Sequence, residues 1–141
     1  SYKYARRQWS LVDNHELCYH YLGDFDKEML KTIKSEKNFN KTPVVEIWHN
    51  DGDQVLAYMR GDLLFVFNFS PTRSFTDYGF LVPTGAYSVV LDTDNKAFGG
   101  NGLNDDEMTH LTNYDPVYVN DRKEWLKLYL PARSALVLKK N

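Results

Sequence analysis

From Val55 to Phe69 the chain runs in steps of two: Val55, Ala57 and Met59 stand against Leu56 and Tyr58, then Leu63, Phe65, Phe67 and Phe69 against Leu64, Val66 and Asn68. Period two sends neighbouring side chains to opposite faces, which a strand requires and a helix of about 3.6 residues per turn cannot use. Asn50-Asp51-Gly52-Asp53 and Arg60-Gly61-Asp62 punctuate the runs as tight turns, in which glycine is expected to supply the positive φ. Similar runs follow at Tyr78 to Val82, Ala86 to Asp92, Glu124 to Leu130 and Ser134 to Lys139, broken at Gly85 and Pro131-Ala132. About seven short strands joined by turns predict a mainly β fold, an antiparallel sandwich.

Within Glu124 to Leu130, Leu126, Leu128 and Leu130 share the side expected to meet the core, while Trp125, Lys127 and Tyr129 share the other. From Asp92 to Asp121 the chain is rich in Gly, Asn and Asp without apolar periodicity, so it reads as a long excursion rather than a strand.

Residues 10–37 carry helical signals instead. Asp13 and Asp24 are expected N-caps of two short helices, and Leu22, Phe25, Met29 and Ile33 fall on one face of the second, with Lys27, Glu28, Lys31 and Lys34 mostly on the others. The polar stretch Ser35 to Thr42 and then Pro43 end the helical part. The expected division is a terminal helical segment at 1–40 and an all-β domain at 41–141.

A net charge of −2 gives no pull towards nucleic acid or an acidic membrane surface, and no apolar run reaches the roughly 18 residues of a membrane span. The single cysteine, Cys18, cannot close an intrachain disulfide, so a cytoplasmic home is expected. The chain opens at Ser1 without a basic-then-apolar leader and is expected to be an internal piece of a longer protein.

Candidate chemistry is sparse. His15, Cys18 and His20 lie close in sequence, but a metal needs a further ligand, and His15 and His20 splay apart on a helix. Asp92-Thr93-Asp94-Asn95 opens like a calcium loop, yet position five is Lys96 and no glycine follows at six, so a turn leaving a strand is the better reading. Glycoside chemistry needs two carboxylates facing each other across a bond, about 5 Å apart in retaining enzymes. Asp51, Asp53, Asp105, Asp106 and Glu107 all sit in turn-like stretches that read as solvated loop charge. No nucleophile, phosphate-loop or dinucleotide motif occurs.

Four segments resemble one family. Tyr2-Lys3-Tyr4-Ala5-Arg6-Arg7-Gln8-Trp9, Leu11-Val12-Asp13 and then Tyr21-Leu22 with Asp24-Phe25-Asp26 look like the stretch that closes the catalytic barrel of glycogen branching enzymes, in the α-amylase superfamily. The run from Leu63 through Asn68-Phe69-Ser70-Pro71-Thr72-Arg73 to Tyr78 is similar to a strand and loop of their C-terminal domain. Gly85-Ala86-Tyr87 through Val90-Leu91-Asp92-Thr93-Asp94 to Phe98-Gly99-Gly100 resembles the next strand and loop, and Tyr129-Leu130-Pro131-Ala132-Arg133-Ser134-Ala135 the final hairpin.

The resemblance implies a parent that cleaves an α-1,4 glucan linkage and transfers the released segment to a 6-hydroxyl by a retaining route. It also implies catalytic carboxylates on a (β/α)₈ barrel upstream, so no catalytic residue is expected in this chain, and no metal or organic cofactor is implied. The implied partners are the barrel of the same polypeptide and, in the parent, α-glucan; self-association of the isolated piece is expected from its exposed interface. The piece is read foremost as a structural cap on the barrel. A secondary glucan-binding surface is the alternative, because Trp48, Trp125 and Tyr129 are aromatic side chains expected to be half-exposed, with flat faces suited to sugar rings. A free-standing carbohydrate-binding or interaction module is the remaining reading.

Overall fold

The computed structural model describes residues 27–28, 31–36, 41–115 and 123–141. The expected N-caps at Asp13 and Asp24, the His15/Cys18/His20 group and most of the apolar helix face lie outside these residues. Residues 27–28 and 31–35 are helical; Ile33 is half-buried, while Lys27, Glu28, Lys31 and Lys34 are exposed, as the spacing predicts.

Among the described residues nine strands follow: β1 (Val44–Asn50), β2 (Val55–Arg60), β3 (Leu63–Asn68), β4 (Phe75–Phe80), β5 (Ala86–Asp92), β6 (Thr109–Leu111), β7 (Asn113–Tyr114), β8 (Glu124–Leu130) and β9 (Ser134–Lys140). They form a six-stranded sheet ordered β1-β2-β3-β9-β5-β6 and a three-stranded sheet ordered β4-β8-β7. Every described pairing is antiparallel.

The strand core lies between the sheets. Val55, Ala57 and Met59 of β2, Leu64 and Val66 of β3, and Leu136 and Leu138 of β9 meet Phe80 of β4 and Leu126, Leu128 and Leu130 of β8. Each of these Val, Leu, Met and Phe side chains stabilises by about 1.5 to 3 kcal/mol when fully buried. Tyr87 of β5 is also wholly buried; its hydroxyl donates to Pro83 O at 2.7 Å, and burial pushes the phenol up to about 12. Asn68, at the end of β3, ties the sheets together: its amide donates to the carbonyls of Arg73, Leu130 and Pro131 at 2.9–3.1 Å and its oxygen accepts from Ser70 N.

The opposite face of the six-stranded sheet is apolar as well. Leu63, Phe65, Leu91 and Val137 form a second buried cluster, with Tyr58, Phe67 and Phe98 packed against it. Tyr58 stacks on Phe65 at 4.9 Å, and Phe67 on Phe69 at 5.5 Å between ring centroids. The helical residues lie on this side, where Glu36 pairs with Lys139 Nζ at 2.6 Å.

Four details depart from the sequence reading. The 92–121 stretch does contain strands, β6 and β7, which were too short to show a period. β4 runs from Phe75 to Phe80 rather than from Tyr78 to Val82, because Asp77 takes φ 52° and shifts the register between Phe75 and Tyr78. In the β1–β2 turn the positive φ falls on Gln54, at 60°, and not on Gly52, while Asn50 Oδ1 caps Asp53 N at 2.9 Å. Gly61, at φ 62°, does take that role in the β2–β3 hairpin. β1 itself was not resolved by alternation, since its period breaks at a bulge between Glu46 and Trp48.

Candidate functional site

That bulge builds the most site-like surface among the described residues. Val45 pairs with Met59 and Trp48 with Ala57, so both point to the sandwich side of β1, and the extra residue Ile47 packs against the core beside them. Trp48 is thereby left at the rim, 45% exposed. Its Nε1–H donates to Tyr78 Oη at 3.0 Å, and the Tyr78 hydroxyl donates to Asp53 Oδ2 at 2.9 Å. Asp53 Oδ1 in turn accepts from Arg73 Nη2 at 3.3 Å, and Arg73 Nη1 donates to Gly52 O at 3.2 Å. The guanidinium lies 4.8 Å over the Phe75 ring, whose edge meets Tyr78. Burial is the main cause that raises the Tyr78 phenol above its ordinary value, with the Asp53 carboxylate adding to it against the Trp48 bond, so the hydroxyl stays neutral and directional.

Trp125 and Tyr129 stand elsewhere. On β8 their side is the one opposite Leu126, Leu128 and Leu130, and both are half-buried. Trp125 covers Gly79 of β4, where a Cβ would come within 3.3 Å of indole Cε3. Lys127, between them, pairs with Asp115 at 3.2 Å. Tyr78 pairs with Leu128 and therefore points to the inner side of the small sheet, so the Trp48 cluster and the Trp125–Tyr129 face are distinct surfaces.

The Asp92–Asp94 loop is a turn held by its own carboxylates. Asp94 accepts from Asn101 N at 3.1 Å and Leu103 N at 3.0 Å, and Asp92 Oδ1 accepts from Asp94 N at 2.9 Å. Asn95 caps a single 3-10 turn at Lys96–Phe98 and donates to Asp106 Oδ2 at 2.8 Å. Gly100 is required here, since a Cβ would lie 2.2 Å from the Asp94 carbonyl. As two carboxylates, Asp92 Oδ2 and Asp106 Oδ1 are buried with no donor between them. Burial first, then the hydrogen bond and charge of Asp106, push Asp92 up to about 8, so that at neutral pH its proton serves both oxygens.

This pair is in direct contact, which leaves no room for a glycosidic bond between its members. Asp53 is committed to Tyr78 and Arg73, and Asp105 caps Glu107 N at 3.1 Å. The described residues line an open cleft of 590 Å³ beside His49, Asp51 and Phe69 and another of 490 Å³ beside Leu91, Phe98 and Asp106. Among the described residues no group of three or more His, Cys, Asp or Glu gathers as a metal site. The turn chemistry of Asp94 and the pairing of Asp53 gave no sequence signal beyond residue type, because their partners are distant in the chain.

Comparison with known proteins decides the family. The profile described as "Alpha amylase, C-terminal all-beta domain" matches residues 47–141. The chain belongs to this family. The α-amylase C-terminal all-β domain thus spans the strands from within β1 to β9, and the bulge residue Ile47 stands at its start. The chain is similar to the 1,4-alpha-glucan-branching enzyme of Emericella nidulans, 44% identical over 98% of this chain, and to that of Saccharomyces cerevisiae, 40% identical over 98%. The protein of the same name from Equus caballus is 36% identical over 98% of the chain. In each case the α-amylase C-terminal domain chain spans 20% of the relative's length.

Proposed function

We propose that this chain is the non-catalytic C-terminal part of a 1,4-α-glucan branching enzyme, in which it packs on and stabilises a catalytic (β/α)₈ barrel that carries the α-1,4 cleavage and α-1,6 transfer. The relatives' name supports the parent activity, and the match to one fifth of their length supports the assignment to a part of it. One observation carries the structural role: the outer face of the six-stranded sheet is itself a core, with Leu63, Phe65, Leu91 and Val137 buried there. A sandwich standing alone turns polar residues outward on such strands. On this reading residues 1–40 belong with the barrel and the outer face, flanked by Glu36–Lys139, is the docking side. The site works in the cytoplasm, with no nucleic acid or membrane as partner.

The test is a parent enzyme truncated before Val44. Loss of several degrees of melting temperature and of branching activity is expected; a truncated enzyme with unchanged stability and rate would overturn the reading. The isolated chain should form no α-1,6 linkages on linear glucan, and it should self-associate as concentration rises, seen as a scattering mass above one chain.

A secondary glucan-binding surface is the second reading, with Trp48, Trp125 and Tyr129 as the aromatic contacts. The observation in its favour is the exposed indole of Trp48, held by its edge.

A further inference from the structure

Resting on that second reading, we propose that Trp48, with Asp53 and Arg73, forms a platform that binds one short stretch of α-1,4-glucan outside any catalytic cleft. The indole N–H is already spent on Tyr78. What Trp48 offers to solvent is therefore a flat apolar face and no hydrogen bond. A pyranose ring presents the matching surface, an apolar C–H face ringed by hydroxyls, so hydroxyl recognition must come from polar neighbours.

Those neighbours are in place. Asp53 and Arg73 follow Tyr78 in one hydrogen-bonded line, and both remain partly exposed, with side-chain accessibilities of 29% and 55%. Each Asp53 oxygen accepts one bond from a described residue and has a second lone pair to offer. Two of the five guanidinium N–H groups of Arg73 serve Gly52 and Asp53, leaving others able to donate to a hydroxyl. A carboxylate beside a guanidinium accepts from one hydroxyl and donates to its neighbour, which suits a vicinal diol.

The platform is also rigid before ligand arrives. Tyr78 is packed on the core through Phe80 and Phe75, Asp53 is capped by Asn50, and Arg73 lies over Phe75. Little side-chain freedom is left to lose on binding, which favours a weak, mobile polymer such as glucan. The bulge at Glu46/Trp48 exists at a cost in ladder bonding and re-aims a single side chain, as bulges beside binding sites do. Trp125, by contrast, is laid against Gly79 and half-buried, so its face is largely used within the sheet.

The experiment is a titration of the 141-residue chain with maltoheptaose, following the indole N–H signals of Trp48 and Trp125. A saturable shift of the Trp48 signal at about millimolar sugar is expected, and Trp48→Ala should weaken binding at least about tenfold. Arg73→Ala and Tyr78→Phe should each weaken it a few-fold, the latter also moving the free Trp48 indole signal by removing its acceptor. Thermal melts of all three should stay close to the parent chain, since the substituted groups lie at the rim. Unchanged affinity in Tyr78→Phe and Arg73→Ala overturns the polar half of the platform. Equal binding of cellohexaose overturns the α-glucan assignment. Shifts centred on Trp125 overturn the platform while the glucan-surface reading survives. No indole shift up to about 10 mM sugar overturns both.

Discussion

The two sheets of this domain solve different problems. In β3 and β9 both alternating faces are buried: Leu63, Leu64, Phe65 and Val66 on one strand, Ala135, Leu136, Val137 and Leu138 on the other. In β8 only every second residue is, with Leu126, Leu128 and Leu130 buried, Lys127 exposed and Trp125 and Tyr129 between. A strand with one covered face reads as alternation, whereas a strand covered on both faces reads as a continuous apolar run. The large sheet is therefore covered on both faces at its centre, and the small sheet on one.

The largest effect is expected from truncating one side chain to alanine on each outer face. Phe65→Ala, on the outward side of the large sheet, should lower unfolding stability by about 3 to 5 kcal/mol, because a buried ring leaves both lost transfer energy and a cavity. Lys127→Ala, on the outward side of the small sheet, loses only a partly exposed pair with Asp115 and should change stability by less than about 1 kcal/mol. Denaturant midpoints of the two variants check this, and equal losses would mean that the large sheet's outer face is not a core.

A second probe concerns the polar end of the large sheet, where Asp92 finishes β5. Its folded-state pKa lies far above the ordinary carboxylate value, so the folded chain holds a proton that the unfolded chain releases. By linkage, this group makes stability fall as pH rises from about 4 to about 8, and leaves it level outside that window. Asp106→Asn gives Asp92 an N–H donor and keeps an acceptor for Asn95. It should raise stability at pH 8 by about 1 to 2 kcal/mol, leave pH 5 nearly unchanged and flatten the slope between. Melting curves across pH 4 to 9 decide it; an unaltered slope would mean that the pair does not share a proton.

Smaller effects test how closely each outer face is packed. Gly79→Ala should cost up to about 1 kcal/mol if the Trp125 ring cannot yield the few tenths of an ångström required, and nothing if it can. Glu36→Gln removes the anion facing Lys139, whose pKa is raised chiefly by the hydrogen bond to Glu36. The Lys139 ammonium should then titrate at a lower pH in heteronuclear spectra, with hardly any change in the melt.

Much of the fold was legible in the sequence, for physical reasons that differ by element. β2, β3, β5, β8 and β9 are long enough, and apolar enough, for period two to show. The edge strand β1 buries little, and its bulge breaks the count midway, so its pattern carries no period. β6 and β7 span three and two residues, fewer than a pattern needs. Of the site, Trp48 could be singled out by residue type alone. Its tie to Tyr78, thirty positions on, and from there to Asp53 and Arg73, exists only after β1 and β4 have been brought together at one edge of the sandwich. The Asp92–Asp106 pair was hidden likewise, because each aspartate taken singly reads as a loop charge.

The position of β9 has a consequence for how the domain comes into being. It lies between β3 and β5 in the large sheet yet follows the other eight described strands in the chain. During synthesis, β1-β2-β3 and β5-β6 must wait as two separate ribbons, each with a bare apolar edge, until Ser134–Lys140 leaves the ribosome and zips them together. A chain cut or stalled just short of that strand would carry two open templates for aggregation, a product that quality control must destroy rather than repair.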